Sequence, residues 1–258
     1  DWSSDVCSSD LMIVEKSEAV PYGTTGGLET VAVRMPSDEV ARALIDVGGG
    51  YIAAPSANTS GRPSPTMAEH VEEDLTGRID MILDGGPVSI GLESTILDMT
   101  VTPPMILRPG AITKEMLEAC IGEVTVDKAV IKPNQRPKAP GMKYRHYAPK
   151  ADLSIVEGEM SKVISKINEL AAEQVKAGHK VGIIGTEESV ANYICGDVKS
   201  IGTREDESTI AVHLFAILRE FDADQVDYIY SESFDTEGIG SAIMNRLLKA
   251  AGHHVITV

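Results

Sequence analysis

From residue 150 onward, short apolar runs alternate with longer segments in which apolar positions recur every three or four residues. Leu153–Val156, Val181–Gly185, Val198–Ile201, Tyr228–Ser231 and Val255–Val258 have the length and composition of strands. Met160–Ala177, Thr209–Phe221 and Ile239–Ala251 carry the helical period, and glycines follow the first and third. Glu187–Tyr193 reads as a short helix. Such alternation predicts a doubly wound, mostly parallel sheet. The first half is less regular. Ile13 to Pro36 reads as strand, loop, strand, with a turn at Tyr22–Gly27 and clear alternation over Thr30–Arg34. Ser37-Asp38 caps a helix running to about Val47, where three glycines stop it. Tyr51–Ala54 reads as the end of a buried strand, and Asp80–Leu83, Thr95–Leu97 and Met105–Leu107 as further short strands. Thr113 caps a helix over Lys114–Ile121. The fold class is therefore α/β throughout.

The chemistry concentrates at the breaks. Pro55 opens a loop with hydroxyls at Ser56, Thr59, Ser60 and Ser64, an amide at Asn58 and a guanidinium at Arg62. Small polar side chains leave backbone N–H groups free to cradle an anion. Ser64-Pro65-Thr66 then reads as a helix start with Glu69 in its first turn, which adds a field favouring negative charge. The competing reading is an ordinary Ser/Pro-rich connection. Ser94 and Thr95 sit on a tight turn, where hydroxyls commonly bond their own backbone. Arg34 and Arg108 stand at strand ends, where arginines are usually plain surface charges. Gly185-Thr186 and Gly238–Ala242 precede or follow regular elements without a G-x-G-x-x-G, so ordinary turn and helix initiation is the simpler reading. No G-x-S-x-G elbow supports a serine hydrolase.

Composition narrows the classes. With 39 acidic and 23 basic residues the net charge is −16, which opposes a general nucleic-acid surface. Against that balance, residues 128–150 hold seven Lys or Arg and no acid, with Pro133, Pro137 and Pro140. The strip is either a solvated linker or a lid whose charge closes over a polyphosphate. Cys7, Cys120 and Cys195 form no C-x-x-C, which fits a reducing cytoplasm and gives no metal site; Cys120 and Cys195 lie among apolar neighbours and are expected in the core. No run is long and apolar enough to span a bilayer, and no secretory signal is recognised. DWSSDVCSSDL at the start has no period and does not match the patterned segments after it. It is expected to be a non-native or disordered tail.

The wording of several segments is more specific than their chemistry. APSANTSGRPSPT (54–66) resembles the signature loop of the threonylcarbamoyl-AMP synthase family, the Sua5/YrdC/YwlC proteins. ETVAVRMPS (29–37), DGGPVSIGLESTILD (84–98), ILRPGAIT (106–113) and APGMKYRHYAP (139–149) match the same family in order. The resemblance implies four segments: a tail over 1–11, a partial YrdC-like twisted-sheet domain over 12–122, a linker or lid over 123–150, and a Rossmann-like Sua5 domain over 151–258. It also implies that a further N-terminal portion of the catalytic domain, with part of the nucleotide and threonine sites, lies outside this sequence, so that the chain is expected to be an incomplete fragment, with its own activity left open.

The implied activity is L-threonylcarbamoyladenylate synthesis from L-threonine, bicarbonate and ATP, the first step of a tRNA threonylcarbamoyl-adenosine modification. The product would pass to a tRNA threonylcarbamoyl transferase. By resemblance, Thr30, Ser56, Asn58, Ser64, Arg108, Tyr144, Arg145 and Tyr147 go to ATP, and Arg34, Ala54 and Ser94 to L-threonine. His146, lacking a paired acid, is a weaker candidate. No acid–base residue is assigned, because a carbamate nucleophile is already an anion. Mg²⁺ is expected on the ATP phosphates, with no dedicated protein cage. Competing functions are a nucleotide- or RNA-binding module without catalysis, and a carbamoyltransferase using carbamoyl phosphate. Salt-dependent RNA binding would reveal the first; dependence on carbamoyl phosphate instead of ATP would reveal the second.

Overall fold

The computed structural model describes residues 11–127 and 147–258. The start of the tail and most of the basic strip, including Tyr144, Arg145 and His146, lie outside the described residues. Six helices of two turns or more are described: α1 (Glu39–Val47), α2 (Ala68–Leu75), α3 (Lys114–Ile121), α4 (Met160–Lys176), α5 (Glu207–Ala223) and α6 (Gly238–Ala250). The chain divides into two compact units.

The first unit comprises residues 11–56, Met81–Gly86 and the described residues from Glu93 to 127. Its strands are β1 (Leu11–Glu15), β2 (Thr30–Val33), β3 (Ile96–Asp98), β4 (Met105–Arg108) and β5 (Thr125–Val126), in the order β2-β1-β3-β4-β5. β1/β2 and β3/β4 run antiparallel, whereas β1/β3 and β4/β5 run parallel. A single helical turn, Tyr22–Thr25, fills the connection expected as a plain turn. The two expected caps are present: Asp38 accepts from the Ala41 N–H at 2.7 Å, and Thr113 Oγ1 from the Met116 N–H. The core is small, made of Leu97, Ile106, Ile112, Leu117 and Val124.

Two expected strands are absent. Tyr51–Ala54 and Asp80–Leu83 have no regular secondary structure and are exposed, with Tyr51 at 86% and Met81 at 74% exposure. Among the described residues neither run pairs with a strand of either sheet. Apolar composition alone does not make a strand when no ladder partner takes its N–H and C=O groups. Cys120 is likewise exposed; on the flank of α3 beside Leu117, it lies at the margin of the small core and outside it.

The second unit comprises residues Ala57–Asp80, Pro87–Leu92 and those from 147 to Val258. Its strands are β6 (Asp152–Glu157), β7 (Val181–Gly185), β8 (Asp197–Ser200), β9 (Tyr228–Glu232) and β10 (Val255–Thr257), ordered β10-β6-β9-β7-β8 and all parallel. This is the expected doubly wound sheet. Side chains alternate across it: Leu153, Ile155, Ile184 and Ile229 pack with Phe215 and Leu218 of α5 and Ile243 and Leu247 of α6. On the other face Val156, Val181, Ile183 and Tyr230 pack with Val163, Ile167 and Ala171 of α4. Each fully buried side chain of this size contributes about 1.5–3 kcal/mol. The expected helix at Glu187–Tyr193 is reduced to a 3-10 turn over Val190–Asn192. Cys195 is half-buried against the α4-side core, as expected.

Candidate functional site

In the first unit, β2 carries Thr30, half-buried and opposite Glu15 of β1, and the chain leaves the strand at Arg34, which is exposed. Ala54 and Ser56 lie on the exposed stretch that follows Tyr51. Ser94 and Thr95 are buried, and their environment is specific. Thr95 Oγ1 donates to the Ile112 carbonyl at 2.7 Å, and the Leu11 N–H donates to the Thr95 carbonyl at 2.8 Å. Arg108, at the end of β4, donates through Nε (3.1 Å) and Nη2 (2.8 Å) to the Ser94 carbonyl. Two candidates assigned to different substrates, Ser94 and Arg108, are thus joined directly. Gly110 makes this close approach feasible. A Cβ there would stand 2.3 Å from the Thr95 nitrogen and 2.7 Å from its hydroxyl.

In the second unit, the loop from Ala57 to Thr66 is internally braced. Asn58 Nδ2 donates to the carbonyls of Thr59 (3.0 Å) and Arg62 (3.3 Å), and the Thr59 N–H donates to Asp74 Oδ2 at 3.0 Å. The Arg62 guanidinium bonds Asp74 Oδ1 and Glu73 (2.8 Å), with Asp222 at 4.0 Å. The helix start also differs from expectation. α2 begins at Ala68, its N-cap residue is Met67, and Thr66 spends its N–H on His70 Nδ1 at 3.1 Å. The Met67 side chain offers no acceptor, although its carbonyl takes the His70 N–H at 3.2 Å, so the helix start expected at Ser64–Thr66 carries no side-chain cap. Ser64 itself is half-buried between Pro63 and Pro65. Tyr147 adopts φ = 64° and lays its ring 5.2 Å from that of Phe215, while the Ala148 N–H donates to the Gly61 carbonyl at 3.0 Å.

Arg219 of α5, which composition and motif did not bring forward, is the other brace of this loop. It is 4% exposed. Nε and Nη2 donate to the Pro63 carbonyl at 3.1 and 2.7 Å. Nη2 also reaches Asp74 Oδ2 at 2.9 Å, and Nη1 reaches Asp74 and Glu73, both at 3.2 Å. Asp222 accepts from the Lys150 N–H at 2.6 Å. The signal was present in the sequence: Phe215, Leu218, Arg219 and Asp222 share the buried stripe of α5, so two charges occupy positions that the helical period reserves for apolar residues.

The charges of this cluster tune one another. Burial alone would raise the Asp74 carboxyl, but hydrogen bonds from Arg219 and the Thr59 N–H hold it below the usual range. Burial opposes the charge of Arg62, and its bond to Glu73 with the fields of Asp74 and Asp222 more than restores it, leaving the guanidinium above its ordinary value. Burial, then Arg219, push the His70 imidazole below 6.5, against the weaker pull of Glu73, Glu69 and Asp74.

At the carboxyl end of the parallel sheet, Glu232 is fully buried. It accepts from Ser189 Oγ, Tyr193 OH (2.7 Å) and Arg204 Nη2 (2.6 Å). The Gly185-Thr186 turn is closed on itself, with the Thr186 N–H on Ser189 Oγ at 2.9 Å. Among the described residues no group of three or more His, Cys, Asp or Glu is placed to hold a metal ion, and no helix is long and apolar enough to cross a membrane.

Comparison with known proteins covers nearly the whole chain. A family described as "Telomere recombination" matches residues 6–110, and one described as "Threonylcarbamoyl-AMP synthase, C-terminal domain" matches residues 112–252. The threonylcarbamoyl-AMP synthase of Bacillus subtilis is 51% identical over 246 residues, covering 95% of this chain and 70% of its own length. That of Pyrococcus abyssi is 49% identical, covering 96% and 71%. The crystal structure of P. abyssi Sua5 complexed with L-threonine superposes with a TM-score of 0.87 at 47% identity, covering 96% of this chain and 72% of the other.

Proposed function

The chain belongs to the threonylcarbamoyl-AMP synthase family of the two-domain Sua5 type, and from that premise we propose how its residues divide the work of making threonylcarbamoyl-AMP from L-threonine, bicarbonate and ATP. The observation that carries the reading is the 96% coverage of this chain by a structure solved with L-threonine bound. Arg34, Ala54 and Ser94 hold L-threonine. A planar guanidinium suits the bidentate grip of its carboxylate, and Arg34 is exposed at the end of β2, as that task requires. Ser94 offers a hydroxyl to the substrate while Arg108 fixes its backbone.

Thr30, Ser56, Asn58, Ser64 and Arg108 hold ATP, together with Tyr144, Arg145 and Tyr147 from the basic strip. Bicarbonate loses hydroxide to give carbon dioxide, the lone pair of the threonine amine forms the N–C bond of a carbamate, and the amine proton leaves with that hydroxide as water. A carbamate oxygen then attacks the α-phosphorus, an O–P bond forms, the bond from that phosphorus to the β-bridging oxygen breaks, and pyrophosphate leaves. The nucleophile is already anionic, so in-line placement and cationic stabilisation carry the step. Mg²⁺ enters as the counter-ion of ATP and is part of the substrate. The product, an activated acyl adenylate, is consumed in the cytoplasm by an enzyme that transfers the threonylcarbamoyl group to tRNA adenosine.

The test is pyrophosphate release from ATP with labelled L-threonine followed into the adenylate. Release that requires both threonine and bicarbonate is the expected outcome, from this chain or from one extended by the further N-terminal portion. Release indifferent to threonine, or a requirement for carbamoyl phosphate in place of ATP, would remove the assignment.

A further inference from the structure

The loop assigned to the nucleotide is gripped at both ends by one side chain of the parallel-sheet unit. Arg219 lies 156 residues from Pro63 in sequence, yet Nε and Nη2 converge on the Pro63 carbonyl, immediately before Ser64. The same guanidinium holds both oxygens of Asp74, and Asp74 Oδ2 receives the Thr59 N–H, immediately after Asn58. The two candidate ATP ligands of this loop therefore each neighbour a backbone group fixed by Arg219, one directly and one through a single carboxylate. We propose that Arg219 is a positioning residue for the nucleotide loop, setting the backbone of Asn58–Ser64 in the conformation that presents an amide and a hydroxyl to ATP. The inference rests on the reading that this loop contacts ATP.

Three features favour this role over a merely structural ion pair. First, a buried charge cluster is a poor way to add stability, because apolar side chains of similar volume usually serve at least as well. Arg219 and Asp222 stand in the stripe of Phe215 and Leu218, where apolar residues would complete the core. Second, the geometry needs a fork. One carbonyl and two carboxylate oxygens are served by three different guanidinium nitrogens, which a lysine ammonium cannot reproduce. Third, the same face of α5 holds the segment bearing another ATP candidate. Phe215 carries the ring of Tyr147, and Asp222 takes the Lys150 N–H.

The experiment compares the full chain with Arg219→Lys, Arg219→Met and Asn58→Ala. It measures ATP and L-threonine affinity by calorimetry, Thr59 amide exchange, and the thermal midpoint. Both Arg219 variants are expected to lose protection at Thr59 and to bind ATP about tenfold more weakly, the change a lost charge-assisted bond produces. L-threonine affinity is expected to stay within about twofold, a selectivity that general destabilisation would not give. Should Arg219→Met fail to fold, Arg219→Lys carries the comparison, since it keeps the charge and loses only the fork. Unchanged Thr59 protection overturns the proposal, and so does lost protection with undiminished ATP affinity. If Asn58→Ala leaves ATP affinity intact, or the unaltered chain binds no ATP, the nucleotide reading of the loop fails first and the inference falls with it.

Discussion

Arg108 and Ser94 are joined by a two-pronged contact in which Nε and Nη2 of the guanidinium share the serine carbonyl, at 3.1 and 2.8 Å. The contact goes to the backbone, so it fixes where the serine hydroxyl starts from. Replacing Arg108 with lysine keeps the cation but removes one prong. Arg108→Lys is therefore expected to weaken L-threonine as well as ATP. The threonine loss should be about five- to thirtyfold, corresponding to ~1–2 kcal/mol for an imperfect replacement of a charge-assisted bond. Calorimetric titration with threonine alone checks it. An effect confined to ATP would mean that the Ser94 contact does not shape the threonine site.

Thr95 is fully buried and its hydroxyl donates to Ile112. Thr95→Val keeps the shape and orphans that carbonyl, so unfolding free energy should fall by about 1–3 kcal/mol. Thr95→Ser should recover most of it. Chemical denaturation of the three proteins decides the point, and equal midpoints for the valine and parent proteins would contradict it.

Gly110 and Gly91 are both held by close approach. At Gly91, where φ is 78°, a Cβ would lie 2.4 Å from the Ala211 carbonyl oxygen and from the Val212 Cα of α5. Neither obstacle is a flexible side-chain end. Gly91→Ala and Gly110→Ala are each expected to lower the thermal midpoint, at the upper end of the about 1–3 kcal/mol typical of overpacking. Gly178→Ala, where an added Cβ meets nothing within 4 Å, separates crowding from backbone strain, since its φ of 91° leaves only the latter.

His70 gives the second unit a pH dependence of definite sign. Burial and then Arg219 place its folded pKa below 6.5. The folded state therefore prefers the neutral ring, which accepts from the Thr66 N–H. The stability from this preference is complete above the unfolded value near 6.5 and is lost as pH falls below it toward the folded value. Chemical-shift titration of His70 should give a midpoint below that of an unstructured histidine. The difference in thermal midpoint between the parent and His70→Asn should shrink between neutral pH and pH 5. A midpoint at or above 6.5 would reverse the sign.

The parallel-sheet unit was legible in the sequence almost element by element, because two periods are superimposed there. Successive strand residues such as Ile183 and Ile184 are buried on opposite faces, and α4 shows Val163, Ile167 and Ala171 on one side. The first unit was less legible for a physical reason. Tyr51–Ala54 and Asp80–Leu83 have the composition of strands, but a strand is completed by its neighbour's hydrogen bonds, and composition carries no information about the neighbour. Of the candidate site, motif order picked out Ser94 and Arg108 without revealing that one holds the other. Asn58 and Ser64 came forward as candidates from the wording of the loop, while the arginine that braces the loop did not. A charged residue in a buried helical stripe is visible only when its face is compared with the period, and its partner at Pro63 lies beyond any local window.

Residues 57–80 precede the basic strip in sequence but fold with the residues on its far side. The chain is therefore not modular in the way its linear order implies. Severed covalently between 127 and 147, it would not yield two self-sufficient pieces. The leading piece would keep Asp74 and Glu73 with one of their two arginines, and the trailing piece would keep Arg219 with no carboxylate or Pro63 carbonyl to receive it. Exchange of this C-terminal segment between relatives would have to preserve the Arg219–Asp74 pairing on both sides of the junction. The boundary along which this molecule can be taken apart runs through space, and no single cut in the gene follows it.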